Sequence, residues 1–470
     1  MNATGDIRSL LASSRATIVA DGIRLSASEV LERAETFGAS LLDQGIQPGD
    51  RVALQLPNGL DAVVSLLGAA CVAVCTVAVN TRYSTAEADD LIARSGARRV
   101  SPPSEMSGTG RAAGATDLID APFVVFTTSG TTSKPKMVLH HQRSIVEHAH
   151  DVVSRFGLSP EDVVLIALPM CGTFGLTSLM GALAADATVI VEPFDAEATA
   201  TTIEQERVTC MNGSDDMFHR LLETGRDLSS VRLGGYARFN SSLTDLVERG
   251  DQAGMTLTGL YGMSEIQALF SLRDPAAPAS ERCRPGGTLT SPDAAYRIVD
   301  GELQVRGPSL FAGYLAEGGD IIDAELTGRH LDDGWFRTGD LASADDDRTF
   351  HYESRLGDVL RLGGFLVAPE EIIEVITTLP GIREAQVVAV ERPAGTRPVA
   401  FVITEDGTEA EPEPIITACR DQLARFKVPI AVITVPAFPI TDGPNGVKIR
   451  LTELRELASF TAENAANQVE

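Results

Sequence analysis

Apolar positions in this chain switch between a helical period and short unbroken runs, and the switch repeats through most of its length. Leu25 to Gln44 carries the 3.6-residue period of an amphipathic helix, and Arg51 to Leu56 reads as a strand. The next stretch, Ala62 to Val79, contains no charge and is nearly long enough to cross a bilayer. Ser65, Gly68 and Thr76 interrupt it, and its texture changes midway. Leu60 to Ala70 predicts a helix, and Cys71 to Val79, rich in Val and Ala, predicts a fully buried parallel strand. Further on, Phe123 to Phe126 and Thr188 to Glu192 predict strands. Ser101 to Asp117, rich in Pro, Gly, Ser and Ala, predicts a loop. Beyond residues 355–358 the order becomes a helix (Pro369 to Thr378), strands near Ala385 to Val390 and Val399 to Thr404, and a helix from Pro414 to Arg425. The pattern predicts an α/β chain: a large multi-layer N-terminal domain (1–355) with parallel sheets and helices, and a small α+β C-terminal domain (356–470). No internal repeat is visible.

Composition narrows the partners. With 470 residues and 44% hydrophobic content the chain can bury a large core, and a formal net charge of −26 argues against nucleic acid or an anionic membrane surface. Cysteines 71, 75, 171, 210, 283 and 419 have no zinc or C-x-x-C spacing, which reads as buried free thiols in a reducing cytosol. The N-terminus, Met-Asn-Ala-Thr-Gly-Asp, has no basic region or long apolar stretch, so a cytoplasmic protein without a signal peptide or membrane insertion is expected.

The cations are almost all arginine: four lysines stand against 35 arginines. That bias directs attention to Lys134, Lys136, Lys427 and Lys448, because a compact ammonium on a flexible stem does work that a rigid guanidinium fork does not. Two of them close the run Phe126-Thr-Thr-Ser-Gly-Thr-Thr-Ser-Lys-Pro-Lys-Met137. Hydroxyls at Thr127, Thr128, Ser129, Thr131, Thr132 and Ser133 can donate to oxyanions, and Gly130 lets backbone amides come close. This is phosphate-loop chemistry, although neither the spacing of the Gly-x-x-x-x-Gly-Lys-Ser/Thr loop nor a following helix start is present.

The run resembles the signature of the adenylate-forming superfamily, which includes acyl-CoA synthetases, peptide-synthetase adenylation domains and luciferases. Further motifs follow in that family's order. Leu260-Tyr-Gly-Met-Ser-Glu265 is similar to its Tyr-Gly-x-Thr-Glu element, and Gly301-Glu-Leu-Gln-Val-Arg-Gly307 with Gly313-Tyr314 to the next. Gly334-Trp-Phe-Arg-Thr-Gly-Asp340 is the most specific. Arg355 to Gly364 and Glu370 to Glu374 resemble the hinge and the glycine-containing hairpin, and Lys448 falls in the terminal lysine motif. The resemblance runs from about residue 20 to about residue 455.

The resemblance implies a two-step reaction. A carboxylate attacks the α-phosphorus of ATP to give an acyl-adenylate and pyrophosphate; the small domain then rotates as a mobile lid, and a thiol, commonly that of coenzyme A, displaces AMP. Two anions must be brought together, so spread negative charge must be neutralised. By resemblance Lys448 is the adenylation lysine, Glu265 the Mg²⁺ ligand, and Ser264 a hydroxyl donor to the α-phosphate in place of the more usual Thr. Thr127 to Thr132, Lys134 and Lys136 would bind phosphates. Asp340 would accept the ribose hydroxyls, reinforced by Arg355. Gly234, Gly235, Tyr236, Tyr261, Gly262 and Met263 would border the nucleotide. Gly172, Phe174, Ala237, Tyr261 and Gly262 would line the acyl pocket, with Gly172, Gly363 and Gly364 along the pantetheine path, and Gly357 and Asp358 would form the hinge. For Tyr236, plain core packing stands nearly level with ligand contact. Asp345-Asp346-Asp347 reads as a solvated hairpin turn rather than a metal site, and no histidine receives a role.

Several positions depart from the family pattern. Ser133 and Met137 stand where glycines are common; if position 133 requires a positive φ, serine costs roughly 1 kcal/mol there and crowds the phosphates. Gly172, in Pro169-Met-Cys-Gly-Thr-Phe-Gly175, falls where relatives often carry His or an aromatic ring, which favours a bulky apolar acid. Asn445-Gly-Val-Lys448 replaces the shorter Gly-Lys. Three readings therefore stand: an acyl-CoA ligase for a bulky apolar acid, a thioester-forming specialist that uses preformed acyl-AMP, and a non-catalytic adenylate binder. Only 22 residues follow Lys448, too few for a fused carrier domain, so a peptide-synthetase module is less favoured. A free-standing carrier protein and a homodimer stay open as partners.

Overall fold

The computed structural model describes residues 5–105, 118–128, 135–239, 243–318, 322–357, 360–362, 365–367, 369–392, 396–443 and 446–466. The predicted α/β architecture is what forms. One sheet of six strands contains the phosphate-loop pair Pro122–Thr128 and Lys136–His141. A second sheet, of fourteen strands, runs through Cys210–Ser214, Leu233–Ala237 and Leu257–Tyr261 to Trp335–Ala344 and Thr349–Arg355. The central strands of the second sheet pair in parallel, and from Leu257–Tyr261 outward the pairing turns antiparallel.

The charge-free segment resolves as the helix–strand unit its texture predicts, with shifted boundaries. The helix Leu60–Cys71 extends one residue further, and the strand is only Cys75–Ala78, with the chain turning in between at Ala73, whose φ is +57°. The helix packs on Ala27–Asp43 so closely that a Cβ at Gly68 would lie 2.5 Å from the Ala34 carbonyl oxygen. Glycine there lets two backbones touch. The Ala27–Asp43 helix also begins later than Leu25: Ile23–Ser26 pairs as a strand with Thr17–Ala20, and Ser26 caps the helix in a reciprocal box with Glu29. Local capping chemistry overrides the longer apolar period. No helix among the described residues is long and apolar enough to cross a membrane.

Apolar residues from Ile7 to Phe350 make one continuous core, with a smaller cluster beside the six-stranded sheet; residues from Leu360 onward make two clusters of their own. In that C-terminal part, Ile382–Val390 pairs antiparallel with Arg397–Thr404, flanked by the helices Pro369–Thr377 and Pro412–Gln422. Asp345 to Asp347 form the turn between Trp335–Ala344 and Thr349–Arg355, where the Asp346 carboxylate accepts the Arg348 and Thr349 amides. The six cysteines are free thiols. Four are buried, and burial raises all six pKa values, Cys71, Cys75 and Cys210 to about 12 and Cys171 and Cys419 to about 11.

Candidate active site

The phosphate-loop strand does not lead into a helix. Pro122–Thr128 turns back as Lys136–His141, with Thr128 opposite Lys136 and Thr127 opposite Met137. Ser129, Gly130, Thr131, Thr132, Ser133 and Lys134 lie outside the described residues. The end of the loop is anchored by Arg94, whose Nη2 donates to the Pro135 carbonyl at 2.7 Å. Thr127 is buried, its Oγ1 3.4 Å from the Tyr83 hydroxyl.

Lys136 leaves the strand toward a cluster assembled from three distant segments. Its Nζ lies 2.9 Å from His330 Nε2 and sits over the Tyr314 ring, 4.8 Å from the centroid. Tyr314 donates its hydroxyl to Glu265 Oε1 at 2.8 Å. Burial lowers the Lys136 pKa, an effect the Glu265 carboxylate opposes, and burial next to Lys136 lowers that of His330. Burial and the charge of Glu265 push the Tyr314 phenol far up. Ser264 and Glu265 occupy a buried 3-10 turn just past the Leu257–Tyr261 strand. A second histidine holds that turn: His140 Nε2 donates to the Ser264 carbonyl at 2.7 Å. His140 is fully buried, and its pKa falls to about 4 because desolvation penalises the imidazolium.

The third component is a carboxylate cradle. Asp340 is buried on Trp335–Ala344, and Tyr261 donates its hydroxyl to Asp340 Oδ2 at 2.5 Å. Arg355, directly opposite on Thr349–Arg355, reaches Oδ1 with Nε at 3.1 Å and the Thr338 carbonyl with Nη1 at 2.9 Å. Burial and the neighbouring carboxylate raise the Tyr261 pKa well above its ordinary value, so the phenol stays a donor. Glu302 fixes the turn leading into Asp340 by accepting the Gly339 amide at 3.1 Å and Arg337 Nε at 3.1 Å.

Glycines bring backbone to the same place. Gly234 and Gly235 lie on Leu233–Ala237 beside Leu257–Tyr261, and Ala237 ends that strand. Gly262 cannot be anything larger: a Cβ there would sit 1.6 Å from the Ala268 carbonyl oxygen. Met263, half-buried, leads into the Ser264 turn. Tyr236 is packed into its surroundings. Its ring is buried and its hydroxyl donates to the Cys283 carbonyl at 3.1 Å. Gly172 is buried at the start of the helix Thr173–Ala184, its amide bonded to the Pro169 carbonyl, and Phe174 is buried in the first turn. Ser178 on that helix accepts from Asn212 Nδ2 at 3.0 Å, a polar contact no motif announces.

Lys448 lies on the strand Gly446–Ile449, paired with Thr441, and its side chain is outside the described residues, as are Asp358, Gly363 and Gly364. Gly357 follows the Thr349–Arg355 strand, with open space where a Cβ would sit. The sequence alone left His330, His140, Tyr83 and Arg94 without a role; none lies in a motif, and only the fold brings them to the site. No three His, Cys, Asp or Glu side chains form a metal cage among the described residues. One carboxylate such as Glu265, with phosphate oxygens and water completing the shell, is the donor set Mg²⁺ accepts beside a nucleotide.

Comparisons with known proteins place the chain in a family. A profile described as AMP-binding enzyme matches residues 11–107 and 103–315, and one described as AMP-binding enzyme C-terminal domain matches 371–443. The chain is similar to 3-[(3aS,4S,7aS)-7a-methyl-1,5-dioxo-octahydro-1H-inden-4-yl]propanoyl:CoA ligase of Rhodococcus jostii (strain RHA1), 29% identical over 94% of this chain and 95% of that one. It is 27% identical to long-chain-fatty-acid–CoA ligase FadD13 of Mycobacterium tuberculosis, over 93% and 94% of the two chains. Among solved structures, ATP-bound MatB from Rhodopseudomonas palustris shares the fold with a TM-score of 0.85 and 23% identity, covering 97% and 99% of the two chains.

Proposed function

The chain belongs to the AMP-binding enzyme family, and from that premise we propose that it is an AMP-forming acyl-CoA ligase. The observation that carries the reading is the Tyr261–Asp340–Arg355 cradle standing beside the Lys136–Tyr314–Glu265 cluster. A buried carboxylate held by a phenol and a guanidinium can accept both hydroxyls of a ribose, and a cation next to a hydroxyl-rich loop can receive polyphosphate oxygens.

In the first step an oxygen of the substrate carboxylate bonds to the α-phosphorus of ATP as pyrophosphate leaves. Lys136, Ser264 and the loop donors 127–134 oppose the repulsion between the two anions. Mg²⁺, when bound by Glu265 and the phosphates, supplies further charge neutralisation. Lys448 bridges carboxylate and phosphate from the C-terminal domain (356–470), which turns against the large domain (1–355) about Gly357 and Asp358. In the second step the coenzyme A sulfur bonds to the acyl carbon and AMP departs. The thiol enters past Gly172, Gly363 and Gly364.

A bulky, apolar acid is the preferred substrate. By its motif position Gly172 would add no side chain to the wall of an acyl pocket formed with Phe174, Ala237 and Gly262. The named acyl group of the Rhodococcus relative, a methylated dioxo-octahydroindenyl propanoyl, has that bulk. Mass spectrometry of products from a panel of acids with ATP and CoA, and separately from synthetic acyl-adenylate with CoA, tests the proposal. Thioester and AMP from both starting points are expected. Thioester from acyl-adenylate alone would favour the specialist reading that Ser133 raises. Neither product from either start would overturn the ligase.

A further inference from the structure

A lysine beside a polyphosphate site must be held in place without losing its charge. A carboxylate partner would fix it but would also cancel most of its field, whereas a neutral acceptor fixes it and leaves the field intact. Lys136 has the neutral kind. Its ammonium can only donate, so His330 Nε2, 2.9 Å away, must present its lone pair and carry its proton on Nδ1. The backbone of Arg337 also bonds the ring. The ring is itself fixed, edge-on to Tyr314 with centroids 5.7 Å apart and tilted against Phe336 at 6.3 Å. The nearby carboxylate of Glu265 acts on the lysine through its charge, while its Oε1 accepts the Tyr314 hydroxyl. One of the three ammonium hydrogens is thus engaged by His330, and the others can meet phosphate oxygens.

We infer that His330 is a positioning residue that holds the Lys136 ammonium for the β- and γ-phosphates of ATP. The inference rests on the ligase reading for its ligand and goes beyond it in assigning the residue. It separates the two half-reactions, because acyl-adenylate carries no β- or γ-phosphate.

His330→Phe keeps a ring between Tyr314 and Phe336 and removes the acceptor; His330→Gln keeps a neutral acceptor; His330→Glu supplies a carboxylate. Calorimetric ATP affinity and the rate of thioester formation from synthetic acyl-adenylate are measured for each, with thermal melting as a check on folding. His330→Phe is expected to weaken ATP about tenfold, and His330→Glu at least as much, the scale of one lost charge-assisted bond. His330→Gln is expected to stay within about threefold of the wild type, and the acyl-adenylate reaction is expected to hold in all three. ATP affinity unchanged in His330→Phe, or equal losses in both half-reactions of a folded variant, overturns the inference. A wild type that binds no ATP overturns it together with the ligase reading. A wild type that binds ATP but makes no thioester overturns only the ligase reading, and the ATP affinities still decide the role of His330.

Discussion

Asp340 and Arg355 face each other as register partners on adjacent antiparallel strands, with guanidinium Nε 3.1 Å from carboxylate Oδ1. The carboxylate is buried while the arginine side chain is half-exposed, so removing either partner has unequal consequences. Arg355→Ala leaves a buried charge that Tyr261 still donates to. A loss of about 2 kcal/mol is expected, below the fully buried case because water reaches the arginine side. Asp340→Asn should cost less stability and raise the KM for ATP by about a hundredfold, because an amide accepts poorly from two hydroxyls. Urea denaturation and steady-state kinetics on the two variants check the pair.

Acid should destabilise the protein through two histidines. Burial lowers the pKa of His140 to about 4 and that of His148 to about 3. The unfolded chain takes up these protons near the ordinary value of about 6.5, before the folded chain does. Each residue's contribution is therefore full above that pH, declines by about 1.4 kcal/mol per pH unit as pH falls, and levels off only below its folded pKa. His140→Gln keeps a donor for the Ser264 carbonyl without the titration. Its stability, followed by urea unfolding between pH 7 and pH 4.5, should fall less steeply than that of the wild type; equal slopes would falsify the assignment.

Gly262→Ala should be the most damaging alanine substitution among the described glycines. The new Cβ would start 1.6 Å from a backbone oxygen, so the turn carrying Ser264 and Glu265 must move. A loss of about 3 kcal/mol is expected, the upper end of overpacking. Loss of ATP affinity should accompany it, read by calorimetry at a temperature where the variant is folded.

Lys448→Gln separates the half-reactions in the opposite sense from a fold defect. If the terminal lysine bridges carboxylate and α-phosphate, adenylation should drop at least about a hundredfold while acyl-adenylate plus CoA still gives thioester. Single-turnover assays started from each substrate measure the split; parallel losses would refute the role.

Gly172→Leu should narrow the acid range. The position is buried, so added methyls must occupy acyl space or displace Thr173–Ala184. A fall of more than about tenfold in kcat/KM for bulky acids, with small acids less affected, is expected from a panel of competing substrates.

Motifs could be located in the sequence because each depends on chemistry close together in the chain. Asp340 and Arg355 meet because the chain makes a tight hairpin through Asp345 to Asp347, and Tyr261 joins them because the Leu257–Tyr261 strand ends beside that hairpin. His330 was silent for the opposite reason. It approaches Lys136 across 194 residues, and nothing in the composition around it marks one face of a short helix as pointing into the site. Strand and helix limits shifted where capping outranked period, as at Ser26, or where the chain turned before its apolar run ended, as at Ala73. Tyr236 sits on a motif strand yet turns its hydroxyl to Cys283, because alternate residues of a strand face opposite sides.

An acyl-adenylate is a mixed anhydride, and any thiolate nearby can intercept it. Every cysteine in this chain has its proton affinity raised by burial, including Cys171 beside Gly172, at about 11. Near neutral pH the protein therefore presents almost none of its own sulfur as a nucleophile. The same packing that builds the core thus keeps the protein's own thiols protonated, so an activated acid formed here would be left to a thiol arriving from outside.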